Sequence, residues 1–369
     1  MVDERIKKLA KLLVNYSLGV KKGDYFFIEG YDIASPLIRE VYREAVKKGA
    51  HVKTEIMLPG LQEIFLKEAS DEQLKFIAPH ERNLVEKADA LLSIWGGYNE
   101  RQLSNVDPKK LQISRGARKE IHSKFFDKVA KGEAKWCGTQ FPTDASAQEA
   151  NMSLEEYEDF VFGSMLLDKE DPVAEWKKIS EEQGKICEYL DKKKMLHIKS
   201  KDTDLKMSIE GRKWINCDGR QNFPDGEVFT TPIEDTVEGY IRFSYPGIYM
   251  GKEIEDIRLQ FKNGKVVKAS AAKGEDLLLT LLDTDEGARF LGEIAVGTNY
   301  GIKKFTKNML FDEKIGGTVH AALGSAPKET GGKNESGIHW DMLCDMKNGG
   351  EIYADGELIY KDGKFLINF

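Results

Sequence analysis

The feature that most constrains the fold is a change of texture near Met195. Before it, helical and extended patterns alternate. Ile6, Leu9, Leu12, Leu13 and Tyr16 recur at helical spacing, and Tyr25-Phe26-Phe27-Ile28 follows as a short buried strand. Leu37 to Lys48 then reads as helix, His51 to Leu58 as strand, Leu61 to Ala88 as largely helical, and Ala90 to Trp95 as a continuous apolar strand ending at Gly96-Gly97. Strands that are apolar on both faces and separated by helices belong in a parallel sheet covered on both sides. A further strand over Lys135 to Thr139 precedes two helical stretches, Ala145 to Leu167 and Pro172 to Lys194, the second of which reads as a connector. Beyond Met195 the chain turns to short alternating strands broken by Gly, Asp and Asn. Two of the turns, Lys262-Asn263-Gly264-Lys265 and Ala354-Asp355-Gly356-Glu357, carry hairpin chemistry. A single helical interval, Glu275 to Thr284, interrupts this half. The expected fold is an α/β N-terminal domain with a largely parallel sheet over residues 1–190, followed by a β-rich α+β domain over residues 191–369.

Composition removes several functions. With 369 residues and 41% hydrophobic content the chain has material for two cores. Its 62 acidic and 55 basic residues are interspersed, so no concentrated basic face exists to engage phosphates, and nucleic acid is not an expected partner. Met1-Val2-Asp3-Glu4-Arg5 runs straight into an amphipathic helix without a signal-like apolar core, and no run approaches the ~20 apolar residues that span a bilayer. A soluble, cytoplasmic protein without a membrane partner is expected. Cys137, Cys187, Cys217 and Cys344 lie far apart with no CxxC pair, which fits reduced thiols and argues against a cysteine-bound structural zinc.

The chemistry concentrates in the second half. In Gly337-Ile338-His339-Trp340-Asp341-Met342-Leu343-Cys344 a period of two puts His339 and Asp341 on one strand face, opposite Ile338, Trp340, Met342 and Cys344. An imidazole and a carboxylate so spaced suit a divalent ion, although for an isolated His-x-Asp, a short and common pattern, a solvated strand face is the simpler account. Upstream, His320 lies among small residues in Gly317-Thr318-Val319-His320-Ala321-Ala322-Leu323-Gly324, where a packed core histidine is the plain alternative. Glu293 is a lone carboxylate in the apolar run Phe290-Leu291-Gly292-Glu293-Ile294-Ala295-Val296-Gly297. Burying it unpaired costs several kcal/mol, so a cation or a hydrogen-bond donor should lie beside it, with a Lys or Arg as plain an account as a metal. Glu227 stands where the loop Asn222-Phe223-Pro224-Asp225-Gly226 enters a short strand. Taken together, carboxylates and imidazoles without thiolates suit zinc, cobalt or manganese, and several carboxylates suit two ions because one can bridge.

With those segments in view, the sequence resembles the thermophilic aminopeptidase family, the M29 metallopeptidases. Lys11-Leu12-Leu13-Val14-Asn15-Tyr16-Ser17-Leu18, Asn222-Phe223-Pro224 through Glu227-Val228-Phe229-Thr230-Thr231-Pro232, Leu291-Gly292-Glu293, Phe311-Asp312-Glu313, His320-Ala321-Ala322-Leu323-Gly324 and His339-Trp340-Asp341 match in order across nearly the whole chain. The resemblance implies that Glu227, Glu293, Glu313, His320, His339 and Asp341 ligate two divalent metal ions, with Glu293 a candidate bridge. It also implies peptide substrates with a free N-terminus and a homodimer whose sites open into a shared chamber. Two departures stand out. The spacing from Glu313 to His320 is about two residues longer than the family pattern, and Pro327 occupies the place of a family tyrosine seven positions after the first histidine.

The activity so implied is removal of N-terminal residues from peptides by a metal-activated water. No general base is identified by the sequence. A two-metal hydrolase of another amide or ester is a different reading, as is a metal-binding relative without catalysis. A nucleotide-binding module lacks support, because neither GxGxxG nor GxxxxGK[ST] occurs.

Overall fold

The apolar strands of the first half assemble into a parallel sheet in the computed structural model, which describes residues 3–367. Strands β1 (Tyr25–Tyr31), β2 (His51–Met57), β3 (Ala90–Trp95) and β4 (Lys135–Gln140) take the order β2-β1-β3-β4, and a two-residue strand from later in the chain, Asn222–Phe223, extends the sheet beside β4. Every pairing in it is parallel. This unit comprises the chain up to Val173 together with Gly219–Pro224, and the second unit comprises Ala174–Asp218 with everything from Asp225 onward.

Local chemistry sets the helix ends. α1 (Glu4–Leu12) starts at Asp3, whose carboxylate accepts from the Arg5 amide. α2 (Ser35–Lys48) has Pro36 in its first turn and stops at Gly49, a left-handed cap at φ 83°. The stretch expected as helical from Leu61 to Ala88 is three short helices, α3 (Leu61–Glu68), α4 (Asp71–Lys75) and α5 (Pro79–Lys87). The stretch expected to run unbroken from Ala145 to Leu167 divides into α7 (Asp144–Glu149) and α8 (Leu154–Ser164), because Ser153 and Glu156 form a capping box that starts a new helix. Between β3 and β4 lies α6 (Pro108–Ala130), 23 residues long and absent from the sequence expectations; it fully buries only Ile121 and Phe125, so its apolar stripe is faint. α9 (Pro172–Leu190) follows.

In the second unit β5 (Met195–Ser200), β6 (Thr203–Ser208) and β7 (Ile215–Cys217) precede the Asn222–Phe223 strand, here β8. Then come β9 (Glu227–Thr230), β10 (Glu238–Arg242), β11 (Gly247–Tyr249), β12 (Lys252–Ile254), β13 (Arg258–Lys262) and β14 (Lys265–Ser270), followed by helix α10 (Glu275–Leu282). After β15 (Leu291–Gly297) and the four-residue helix α11 (Met309–Asp312), the chain closes with β16 (Thr318–Gly324), β17 (His339–Asp345), β18 (Glu351–Ala354), β19 (Glu357–Lys361) and β20 (Lys364–Phe365). An eight-stranded antiparallel sheet has the order β14-β13-β10-β6-β5-β18-β19-β20, and a five-stranded one the order β17-β16-β15-β9-β7. Both foreseen hairpin turns form, with Asn263 and Asp355 at φ 48° and 51° ahead of Gly264 and Gly356.

One apolar core joins the two sheets. Leu196, Ile198, Leu205 and Met207 from the larger sheet share it with Ile294, Val296, Val319, Leu323, Trp340 and Met342 from the smaller. Each such side chain contributes roughly 1.5–3 kcal/mol on burial. That packing consumes one face of the five-stranded sheet and leaves the other face for polar residues.

Candidate metal centre

Pairing register decides which side chains meet. Glu293 lies opposite Ala322, and Ala322 opposite Asp341; His320 faces Ala295, His339 faces Gly324, and Glu227 faces Gly297. Paired residues share a face, and so do residues two apart on a strand. Glu227, Glu293, His320, His339 and Asp341 therefore all project from the face of the five-stranded sheet opposite the core. Their paired neighbours are Ala or Gly except for Leu343 opposite His320 and Cys217 opposite Glu227, so little bulk separates them.

Backbone features bring the carboxylates inward. The register slips by one residue between Leu291 and Glu293, a bulge at Gly292, where an added Cβ would lie 2.3 Å from the Ser325 carbonyl oxygen. Gly226 holds φ 121° just before Glu227, against the Asn299 backbone. From α9, the buried Gln183 amide donates to the carbonyl oxygens of Glu227 at 2.9 Å and Cys217 at 3.0 Å, and its oxygen accepts from the Thr298 hydroxyl at 2.9 Å. Glu313 caps α11 and reaches the cluster from the loop between β15 and β16.

At the centre His320 is completely buried, and its Nε2 lies 3.2 Å from Glu227 Oε2, 3.2 Å from Glu293 Oε1 and 4.0 Å from Asp341 Oδ1. His339 Nε2 lies 3.7 Å from the other Glu293 oxygen and 3.5 Å from Asp341 Oδ2. Its Nδ1 sits 2.7 Å from the Ser325 carbonyl. A carbonyl only accepts, so Nδ1 carries a hydrogen, and Nε2 is the ring nitrogen that faces the carboxylates. The His339 side chain is 36% exposed and marks the open side of the cluster.

The inner side is closed by a residue that sequence reasoning did not single out. Lys314 is 1% exposed; its ammonium donates to Glu227 Oε1 at 2.9 Å and to Glu313 Oε1, and lies 3.8 Å from Asp225 Oδ1. Lysine is ordinarily a surface residue, and no periodicity distinguishes this one. Asp225 and Cys217 were passed over likewise, yet with Glu227 they converge closely enough to share an ion. The partner expected beside Glu293 is the His320 imidazole, and the buried lysine stands beside Glu227 and Glu313 instead.

Ionisation follows from these contacts. Burial works against charge on His320, but the Glu293 hydrogen bond and the charges of Glu227 and Asp341 outweigh it and lift the imidazole to about 9. Burial pushes Asp225 up to about 8 and Glu313 to about 7, against the pull of Lys314. Burial raises Glu293 as well. Glu227 goes the other way: burial opposes its charge, but Lys314 and His320 prevail and hold it below the ordinary glutamate value.

The donor set fits divalent ions. Glu227 Oε2, Asp341 Oδ1 and His320 Nδ1 are buried without a hydrogen-bond partner, and an orphaned buried carboxylate oxygen calls for a cation. Three overlapping groups have ligand atoms within 4.8 Å of one another: Glu227, Glu293 and His320; Glu293, His339 and Asp341; Glu313, His320 and Asp341. All six residues expected from the sequence are among them. Pro327 begins a short helical turn, Lys328–Thr330, and neighbouring Asn334 is engaged with the carbonyls of Gly287 and Gly324.

Residues 2–365 match the family described as thermophilic metalloprotease (M29). The chain belongs to this family. As an M29 member it is a peptide-bond hydrolase, and it matches its relatives over nearly their whole length. It is 29% identical to Aminopeptidase 2 of Geobacillus stearothermophilus, over 98% of this chain and 95% of that protein, and 29% identical to Aminopeptidase T of Thermus thermophilus, over 97% and 95%. The solved structure of wild-type AmpT from Thermus thermophilus superimposes with a TM-score of 0.86 at 25% identity, covering 99% of both chains. An N-terminal α/β region with a parallel sheet and a β-rich C-terminal region thus characterise this M29 protein as expected. No described helix is long and apolar enough to cross a membrane.

Proposed function

We propose that this protein is a metal-dependent aminopeptidase that releases N-terminal residues from peptides, with two divalent ions held by Glu227, Glu293, Glu313, His320, His339 and Asp341. The observation that carries the reading is the position of Glu293. One of its oxygens lies with Glu227 and His320 and the other with His339 and Asp341, so a single carboxylate serves two adjoining ligand groups. When bound, two ions of zinc, cobalt or manganese supply Lewis acidity, polarising a peptide carbonyl and bringing a water to ionisation near neutral pH.

The chain's own residues do the positioning. Ser325 keeps the His339 tautomer that presents Nε2 inward. The apolar strand behind Glu293 keeps water from the closed side, and exposed His339 marks where substrate enters.

A phosphate esterase is the weaker reading. It needs a cation free to meet the substrate, and Lys314, the cation of the cluster, is buried and engaged by Glu227 and Glu313. The test is hydrolysis of unblocked and N-acetylated peptides after chelation, then with each ion restored. Release of N-terminal residues from unblocked peptides only, lost in His339→Ala, is expected. Metal binding without turnover of any peptide would overturn the aminopeptidase assignment.

A further inference from the structure

We infer that Lys314 is a positioning residue of the metal centre, fixing the Glu227 carboxylate so that one oxygen is committed to the ammonium and the other is left for an ion. This inference rests on the two-ion reading above. Lys314 is anchored at both ends: its amide donates to Phe311 O at 3.1 Å, its carbonyl accepts from the Asn299 amide at 3.0 Å, and its ammonium meets Glu227 Oε1 at 2.9 Å. The opposite oxygen, Glu227 Oε2, is the buried one without a hydrogen-bond partner, 3.2 Å from His320 Nε2. A glutamate side chain turns about its terminal bond, and the lysine removes that freedom.

Charge points the same way. Asp225, Glu227, Glu293, Glu313 and Asp341 carry five negative charges when ionised. Two divalent ions neutralise four of these, and Lys314 supplies the fifth positive charge from a place where its ammonium excludes rather than admits another ion. Glu313 bonds to the same ammonium, so Lys314 ties together two carboxylates that would otherwise repel each other.

Two effects compete when the lysine is removed. Loss of a positive charge near an ion would tighten metal binding, whereas release of Glu227 would weaken it. If Lys314 acts by positioning, weakening prevails by about 10–100-fold, the usual consequence of losing a residue that orients a ligand.

The test is a double-mutant cycle of Lys314→Met and Glu227→Gln, with zinc and cobalt affinities measured by chelator competition on the full chain, and folding checked by thermal unfolding in chelator. Lys314→Met alone should lose about 10–100-fold in affinity for one ion, while the ion on the Glu293, His339 and Asp341 side changes little. The double variant should lose clearly less affinity than the sum of the two single losses, because most of what the lysine does for the ion runs through Glu227. It also removes the charge of Glu227 along with the ammonium, leaving one buried carboxylate fewer unpaired than Lys314→Met does, so the comparison stays available where the single variant is unstable. Unchanged or tighter binding in Lys314→Met, or losses that simply add in the double variant, would overturn the inference. A wild-type chain that binds fewer than two ions would instead refute the underlying two-ion reading.

Discussion

Glu29 in the first unit and Glu293 in the second are each a lone carboxylate in an apolar strand, and what separates them is their neighbours. Glu29 sits on β1 with its register partners Glu55 on β2 and Ser93 on β3. Its carboxyl accepts from the Ser93 hydroxyl at 2.6 Å, and that hydroxyl accepts from the Trp136 indole at 3.2 Å. A neutral donor meets it, itself held by a second. Glu293 meets two imidazoles and lies close to two further carboxylates, Glu227 and Asp341, an arrangement that neutral donors do not balance. A buried strand glutamate is therefore not itself a metal signal; convergence of ligand atoms from several strands is.

The sharpest way to break this comparison is to neutralise each carboxylate in turn. Glu293→Gln should abolish binding of both ions at micromolar metal and reduce peptide hydrolysis by about 10³-fold or more, since one side chain serves both ligand groups. Glu29→Gln should leave metal content and turnover unchanged. Plasma emission analysis of the purified variants reads the first difference directly; a Glu293→Gln protein still holding two ions would end the bridging role.

A second effect lies in stability. Without ions the carboxylates of the second unit are balanced only by Lys314 and protons, whereas the first unit has no such debt. Chelation should lower the unfolding temperature of the second unit by about 5–10 °C, the equivalent of losing ligand present at ~100 times its Kd. The first unit should be unaffected, as followed by hydrogen exchange in β1 and β3. Smaller still, Gln183→Leu should cost about 1–3 kcal/mol by leaving the carbonyls of Glu227 and Cys217 without their donor. Its metal affinity should fall with its stability, and intact affinity would mean that the Glu227 backbone needs no such anchor.

Why one carboxylate announced itself and another did not is a matter of what a linear pattern records. Ala90–Trp95 was legible because both its faces are buried, and the His339–Asp345 strand because apolar and polar residues alternate. α6 was not, since its buried residues are too few to mark a stripe. Glu227 and Glu313 gained meaning from family resemblance more than from their own segments. Lys314 could not be read at all: its partners Glu227 and Asp225 lie some ninety residues upstream, and only the fold brings an ammonium and three carboxylates together. Register, a non-local property, carries that information.

The smallest expected effect concerns pH and Glu29. Burial raises its pKa above the ordinary value of 4.5, with the Ser93 hydrogen bond opposing, Glu55 adding to the rise and His122 countering it weakly. A raised pKa means the folded state holds the proton more tightly than the unfolded chain does. The resulting stabilisation is complete below the unfolded pKa and is lost as pH climbs through the folded one. Glutamine stays neutral throughout and still accepts from Ser93. Glu29→Gln should therefore match wild type near pH 4 and become the more stable of the two at pH 7 to 8, read as a higher unfolding temperature. If the variant is less stable at pH 7, the ionised carboxylate has a cationic partner in the first unit, and the contrast with Glu293 narrows to which cation each one meets.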